Sequence, residues 1–200
     1  MQPWQPLLAL WFGDEADDVL RATRQAPLWW GKSSETDALL ASRFGELAEA
    51  AAKGSLAHWA DLPSGRLALI LLLDQLPRNI HRGTPAAFAR DPLARGLCLK
   101  GLSIGADKSL SPLERVFFYL PLEHAESREQ QARSVALFEA LAAEQAGTPA
   151  QATFAGFADF ARRHQVIIER FGRFPHRNDI LGRTSTPEEA TFLQQPGSGF

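Results

Sequence analysis

A chain of 200 residues with 45% hydrophobic and 22% charged side chains can bury one substantial core, so we expect one domain over residues 1–200. The formal net charge of -2 argues against a nonspecific nucleic-acid binder, because such affinity needs an excess of basic surface. Cys98 is the only cysteine, which excludes an internal disulfide and is typical of a reducing compartment such as the cytoplasm.

The sequence also predicts neither export nor membrane insertion. The apolar run at 7–12 has no basic segment before it and is too short for a secretory signal. The longest other apolar run, 67–73, falls far below the roughly 20 residues that a membrane-spanning helix needs. We therefore expect a cytoplasmic protein with no membrane partner.

Glycine, proline and capping residues mark the helices of the first quarter of the chain. These helices are predicted at 7–12, at 15–25 with Asp14 as the N-cap, and from about 34 to Gly54. Pro27 is expected to close the second helix, which leaves Leu28–Lys32 as an aromatic loop. Ser33 or Ser34 caps the third helix, with Asp37 in the capping-box position.

The next helix is predicted to be the central element of the fold. It runs from Pro63 to Leu76 and is apolar on every side over 67–73, so other helices should enclose it. Pro77 is expected to end it, because proline lacks the N–H group that continues a helix. Asp74 then lies at the end of a buried helix, where a carboxylate needs a partner.

Most later helices are predicted to start where a capping residue precedes a proline. The pairs are Thr84-Pro85, Asp91-Pro92, Ser111-Pro112, Thr148-Pro149 and Thr186-Pro187. Pro121 is expected to kink or end the helix from Ser111, Ser127 to cap a helix through Gln145, and the last long helix to end near Phe171. No strand alternation persists, so the predicted fold is all-α, with antiparallel helix pairs joined by short connectors.

Five side chains form a candidate acid–base group: Asp74, Glu123, His124, Glu126 and His164. The first four lie where helices end or kink, and His164 lies on the apolar stripe of the last long helix. Carboxylates that converge on a histidine shift its pKa and support proton transfer. The alternative is that the carboxylates pair with Arg78, Arg173 and Arg177 in a buried ion network that fixes the loops.

Two arginine-rich segments, 73–85 and 169–187, each place an Arg-Asn pair after an apolar helix. They predict an anion site lined by Arg78, Asn79, Arg82, Arg173, His176, Arg177, Asn178 and Arg183. Guanidinium forks suit carboxylates and phosphates, although the same groups can also tether neighbouring helix ends. We expect the two segments to meet in space, with Asp74 of one facing Arg173 or Arg177 of the other.

The sequence predicts no metal site and no cofactor. No His-x-x-x-His or Glu-x-x-His pair occurs on a predicted helix, and no phosphate loop or dinucleotide fingerprint is present. Nucleophilic catalysis has little support, because Cys98 has no adjacent histidine or basic residue and the Gly-x-Ser-x-Gly motif is absent.

Four stretches carry a resemblance to a known family: LLLDQLPRNIHRGTPAAFARDP, ERVFFYLPLEHAE, HQVIIERFGRFPHRNDILGR and the terminal PGSGF. In these stretches the chain resembles DUF924, a bacterial domain of unknown function with a tetratricopeptide-like helical fold. The resemblance covers nearly the whole chain and implies a fold but no activity. The sequence itself shows no repeat period of about 34 residues. The family often has a serine after Pro-Leu-Glu-His, where this chain has Ala125.

The residues favour a binding module whose polar site takes a small acidic ligand or a peptide. The alternative is a hydrolase or lyase that uses His124 or His164 with Glu123 and Asp74. A concave pocket lined jointly by these residues and the arginines would favour the enzyme, whereas their full burial in mutual pairs would favour a scaffold. The sequence leaves the oligomeric state open.

Overall fold

The computed structural model describes residues 2–199. Across these residues every regular element is helical and none is a strand, which confirms the predicted all-α class. The α-helices are α1 (Gln5–Phe12), α2 (Asp18–Trp30), α3 (Ser34–Ala52), α4 (Pro63–Ile70), α5 (Leu76–Ile80), α6 (Asp91–Ser103), α7 (Pro112–Glu123), α8 (Arg128–Glu144), α9 (Gln151–Phe171) and α10 (Pro187–Leu193). Within 2–199 no helix has both the length and the apolar character that a membrane span requires.

The helix that starts at Pro63 lies in the core, as its all-round apolar pattern predicted. Leu67 and Leu71 are fully buried, and α4 packs against both α6 and α7. Aromatic rings of α1 and α7 close the core beside it, with Trp11 and Phe117 in edge contact at 5.6 Å between ring centroids. The central element therefore has helices around it, as a helix without a polar face requires.

The prediction that Pro77 ends the central helix is wrong. A π-helical segment, Leu71–Gln75, follows α4, and α5 then continues the helix through Pro77 to Ile80. In the π segment the N–H of Leu76 bonds to the carbonyl of Leu71, five residues back instead of four. The pattern of backbone hydrogen bonds therefore shifts by one residue just before the proline. Pro77 then falls in the first turn of α5, where a missing N–H is tolerated.

Two other prolines lie within helices that they were expected to end or kink. Pro27 is inside α2, so Trp29 and Trp30 are helical and the predicted loop is reduced to the few residues between α2 and α3. Trp29 is buried, and its indole N–H donates to the carbonyl of Trp11 at 2.8 Å, which helps to offset the lost helical bond. Pro121 lies inside α7, which continues to Glu123.

Capping residues set several helix starts as predicted. Ser33 caps α3, Ser127 caps α8, and Thr186 forms a capping box with Glu189 at α10. Two other starts differ: α9 begins at Gln151 without a side-chain cap, and Thr84-Pro85 starts only a short 3-10 turn. The cap of α2 is Asp17 rather than Asp14, because the carboxylate of Asp17 accepts from the N–H groups of the next turn.

Helices that are neighbours in the sequence also pack against each other, most extensively α8 with α9 and then α7 with α8. This arrangement is compatible with the tetratricopeptide-like organisation that the resemblance implied, which stays a prediction. The functional consequence is that the end of α7 and the turn before α8 lie against the last turns of α9, so the histidines of both elements come together.

Candidate functional site

A buried carboxylate–imidazole pair forms the centre of the polar cluster. Asp74, on the π segment, is fully buried, and His124 follows directly after α7. The Nδ1 atom of His124 lies 2.8 Å and 3.0 Å from the two carboxylate oxygens of Asp74, and the side-chain amide of Gln75 donates to the same carboxylate at 2.6 Å. Burial opposes ionisation of Asp74, but Arg78 and His124 hold its pKa well below the ordinary range.

The hydrogen bond fixes which nitrogen of His124 carries the proton. An ionised carboxylate only accepts, so Nδ1 donates to Asp74 and Nε2 is left without a proton in the neutral ring. Burial, followed by the charge of Arg78, lowers the pKa of His124 despite the attraction of Asp74. At neutral pH the ring is therefore an uncharged base, and Nε2 has no hydrogen-bond partner within 2–199.

The turn that carries His124 is held in place by hydrogen bonds from α8. The side-chain amide of Gln131, which is fully buried, donates to the carbonyls of Glu123 and Ala125 at 2.5 Å and 2.9 Å. These bonds satisfy the end of α7 and keep the ring of His124 in one position relative to the π segment.

A chain of ion pairs joins the two arginine-rich segments. Arg78 makes a bidentate contact with Asp91 at 2.9 Å and 3.0 Å, and it also contacts the carboxylate and the backbone carbonyl of Asp74. Arg177, from the second segment, lies 3.5 Å from Asp91. The two segments thus meet through the carboxylate of Asp91, whereas Arg173 does not join this chain.

Arg177 is a buried cation with few acceptors. Only 6% of the residue is exposed, and its guanidinium carbon lies 4.6 Å from the ring centroids of both Phe88 and Phe174. Among residues 2–199 its Nε–H has no hydrogen-bond partner, and its contact with Asp91 is at the long limit of a hydrogen bond. Burial, followed by repulsion from Arg78, lowers the pKa of Arg177 to about 10, which still leaves it charged at neutral pH.

Glu123 and His164 form a second, uncharged couple. His164 Nδ1 lies 2.9 Å from the carbonyl oxygen of Phe160 and 3.2 Å from Oε1 of Glu123, so Nδ1 carries the proton. Burial, with a smaller effect of Asp74, raises the pKa of Glu123 to about 8, and burial lowers that of His164 to about 3. The rings of His164 and His124 are 6.3 Å apart, so both couples belong to one cluster.

A cleft of about 400 Å³ opens beside this cluster. Its polar lining consists of Asp91, Arg95, His124, Glu126 and Arg177, and apolar lining comes from Pro85, Phe88, Pro92 and Leu181. Of the predicted residues, His124 and Arg177 therefore line the cleft, whereas Asp74, Arg78 and His164 do not. The sequence allowed two arrangements, a pocket lined jointly by all these residues and a network in which all of them are buried in mutual pairs. The structure has features of both, because some of the residues line the cleft and the others are paired behind it.

Other predicted ligand-binding residues contact carboxylates of the protein itself. Asn79 and Arg82 both bind Asp37, with all three hydrogen bonds at 2.9 Å. Asp37 therefore links α3 to α5, rather than completing the capping box of α3. Arg173 binds Glu189 at 2.7 Å and 2.8 Å, which ties the end of α9 to α10.

The turn after α9 is tethered to the one after α7. Arg183 binds Glu126 at 2.7 Å and 2.9 Å, and Glu126 also accepts from the backbone N–H of Phe174 at 2.8 Å. Asn178 accepts from Arg183 at 3.0 Å and donates to Ser185 at 3.0 Å. His176 packs on Phe174 with ring centroids 5.5 Å apart, and burial lowers its pKa to about 4.

Sequence reasoning missed four residues that shape the cleft: Phe88, Asp91, Arg95 and Gln131. Asp91 precedes a proline, which predicts a helix cap, yet it is the first residue of α6 and its side chain binds Arg78. Gln131 and Phe88 have ordinary helix and loop contexts, and no signal in the sequence marks either of them. Among the residues that the structure describes, no group of His, Cys, Asp and Glu is arranged to hold a metal ion.

The fold and the cleft define an all-helical protein with a buried cluster of ionisable groups beside a partly apolar cleft. The chain belongs to the DUF924 family, described as a bacterial protein of unknown function, whose profile matches residues 7–197. The structure is similar to that of a protein of unknown function, ATU0120, from Agrobacterium tumefaciens, with 38% identity and a TM-score of 0.75. That alignment covers 89% of this chain and 99% of the other. No curated protein matches the chain.

Proposed function

We propose that the protein binds a small organic anion, with a carboxylate or phosphate group, in the cleft beside Arg177 and His124. The observation that carries the proposal is the state of Arg177, a buried cation that lines the cleft and whose Nε–H has no acceptor in the described part of the chain. A charge of this kind is costly to bury unless an anion neutralises it. A bound carboxylate or phosphate supplies that anion. It also accepts hydrogen bonds from the unused N–H groups in the fork geometry that arginine favours.

The charges around the cleft support an anion rather than a cation. Arg95 and Arg177 line the cleft together with Asp91 and Glu126, so the charges of the lining itself balance. Behind the lining, Arg78 and Arg183 pair with the same carboxylates and face only one more, that of Asp74, so the cleft and the ion pairs behind it hold four guanidinium groups and three carboxylates. Glu123 adds no charge at neutral pH because its pKa is about 8. One positive charge is thus in excess, and Arg95 makes no ion pair with any residue in 2–199. A monoanion balances this excess.

The apolar part of the lining indicates the rest of the ligand. Phe88, Pro92 and Leu181 border the cleft, so a ligand with an apolar body next to its acidic group buries more surface than an inorganic ion does. A small organic acid fits both features. The acidic end of a peptide has the same chemistry.

The Asp74–His124 pair favours a second candidate function at the same place, acid–base catalysis by a hydrolase or lyase. A carboxylate that orients Nδ1 and leaves Nε2 as an uncharged base is the arrangement a general base requires. Arg177 would hold the acidic group of the substrate while His124 accepts a proton. Under this candidate, His124→Asn retains ligand binding and loses turnover.

A thermal-shift screen tests the binding proposal. Benzoate, phenylphosphate and inorganic phosphate are compared as ligands. A ligand that binds the native state adds about 2.7 kcal/mol to the free energy of unfolding at 100 times its Kd, and this raises the melting temperature. We expect benzoate or phenylphosphate to stabilise the wild type more than phosphate does. Arg177→Gln should lose the shift relative to its own ligand-free melting temperature.

The matched control is Arg170→Gln, because Arg170 pairs with Glu188 on the surface and does not line the cleft. It should keep the full ligand-induced shift. Equal shifts in the Arg177 and Arg170 variants would show that the anion binds elsewhere, and no shift with any of the three anions would speak against the proposal.

A further inference from the structure

A second concave site lies between α3, α4 and α6 and shares no lining residue with the cleft. It is a groove of about 340 Å³ with an apolar floor made of Leu69, Leu73 and Leu97. Small residues of its walls, such as Ala51 and Gly96, keep the groove open. The shape suits an extended aliphatic chain more than a compact ring.

Two cations line this groove and no carboxylate does. Lys100 is exposed at the rim, whereas Arg66 is only 6% exposed. Arg66 donates to the carbonyls of Ala60 at 2.8 Å and Leu97 at 3.2 Å. Within 2–199, however, its Nε–H has no hydrogen-bond partner and no carboxylate forms an ion pair with it. Burial lowers the pKa of Arg66, and the charge of Asp61 offsets this effect only in part, so the positive charge is held at a cost that a bound anion would relieve.

The packing of α6 keeps Arg66 in place. A Cβ atom at Gly101 would lie 2.7 Å from Cδ of Arg66 and 2.4 Å from Cζ of Phe118, so only glycine lets the helix approach this closely. The stem of Arg66 therefore packs closely against α6 at Gly101. A fixed cation next to an apolar floor is the complement of an amphipathic anion.

We infer that the groove between α3, α4 and α6 binds a free medium-chain carboxylate. The aliphatic chain lies on Leu69, Leu73 and Leu97, and the carboxylate accepts from Arg66 and from the ammonium group of Lys100. The argument rests on charge complementarity in the groove and is independent of the cleft beside Arg177.

Isothermal titration calorimetry with decanoate tests the inference, with a variant that fills the groove. A Cβ atom at Gly96 meets no atom within 4 Å, so Gly96→Phe places a ring in the groove without displacing the backbone. Gly156→Phe on α9 is the matched control, because Gly156 is also helical with open space and lies outside the groove. Circular dichroism confirms that both variants fold.

We expect decanoate to bind the wild type and Gly156→Phe alike and to bind Gly96→Phe at least about tenfold more weakly. Lys100→Gln should also weaken binding. Because the cleft beside Arg177 is itself proposed to bind organic acids, the titrations are repeated in the Arg177→Gln background, where the difference between Gly96→Phe and Gly156→Phe should persist. Decanol, which lacks the charge, should bind much more weakly than decanoate.

Three results would overturn the inference. These are the absence of decanoate binding to the wild type, undiminished affinity of Gly96→Phe for decanoate, and binding of decanol as tight as that of decanoate. Vesicles of anionic phospholipid serve as a further comparison. Binding to vesicles that Gly96→Phe abolishes, without binding of free decanoate, would assign the groove to a membrane surface instead.

Discussion

Buried Glu123 should make the stability of the protein fall as the pH rises. Its pKa is raised from the ordinary 4.5 to about 8, so between these values the native state keeps a proton that the unfolded state has lost. The unfolding free energy then decreases by about 1.4 kcal/mol per pH unit. From about pH 5.5 to about pH 7.5 the loss is about 2.5 kcal/mol, a large part of the 5–15 kcal/mol typical of a domain.

The variant Glu123→Gln isolates this contribution, because glutamine is neutral at every pH and has nearly the same shape. Urea unfolding at the two pH values gives the unfolding free energy of each protein, and other titrating groups cancel in the difference between variant and wild type. We expect the unfolding free energy of the variant, relative to that of the wild type, to rise by about 2.5 kcal/mol between pH 5.5 and pH 7.5. Glu139→Gln, at an exposed pair with Arg162, should show no such gain. A difference that is flat with pH would mean that Glu123 is ionised in the native state, and the uncharged couple with His164 would be wrong.

Two further predictions concern the ion chain and the central helix. Asp74 and Arg177 are linked through Arg78 and Asp91, so Asp74→Asn and Arg177→Gln should be non-additive by about 1 kcal/mol in urea unfolding, and strict additivity would break the proposed link. Leu71→Asp places a charge at a fully buried position, at a cost of several kcal/mol, and should abolish soluble folding, whereas Leu20→Asp at a half-exposed position should not. Cooperative unfolding of a soluble Leu71→Asp protein would contradict the central position of this helix.

The sequence predicted the parts of the fold that depend on local chemistry. Seven consecutive apolar residues, 67–73, marked the buried central helix, and the side-chain caps at Ser127 and Thr186 marked two helix starts. The prolines at 27 and 77 predicted helix ends, and the proline at 121 predicted a kink or an end, although the helices continue through all three. Pro27 and Pro121 lie inside their helices, where a proline costs about 3 kcal/mol, and tertiary burial of the flanking side chains outweighs this cost.

The sequence predicted which residues form the candidate site, but it did not predict which arginine pairs with which carboxylate. The structure brings Asp74, Glu123, His124 and His164 into one cluster, with Arg177 beside them. Which of several similar arginines binds which carboxylate depends on distances across the fold, so the pairs of Arg82 with Asp37 and of Arg173 with Glu189 had no signature in the sequence. The π segment that aims Asp74 at His124 likewise comes from packing.

The most direct test of the central claim is a crystal structure of the protein with para-bromobenzoate, in which anomalous scattering locates the bromine. We predict that the bromine lies in the cleft near Phe88, Pro92 and Leu181, with the carboxylate about 2.7–2.9 Å from the guanidinium of Arg177. An empty cleft at a ligand concentration that raises the melting temperature would contradict the account, and so would a bound ligand whose carboxylate does not contact Arg177.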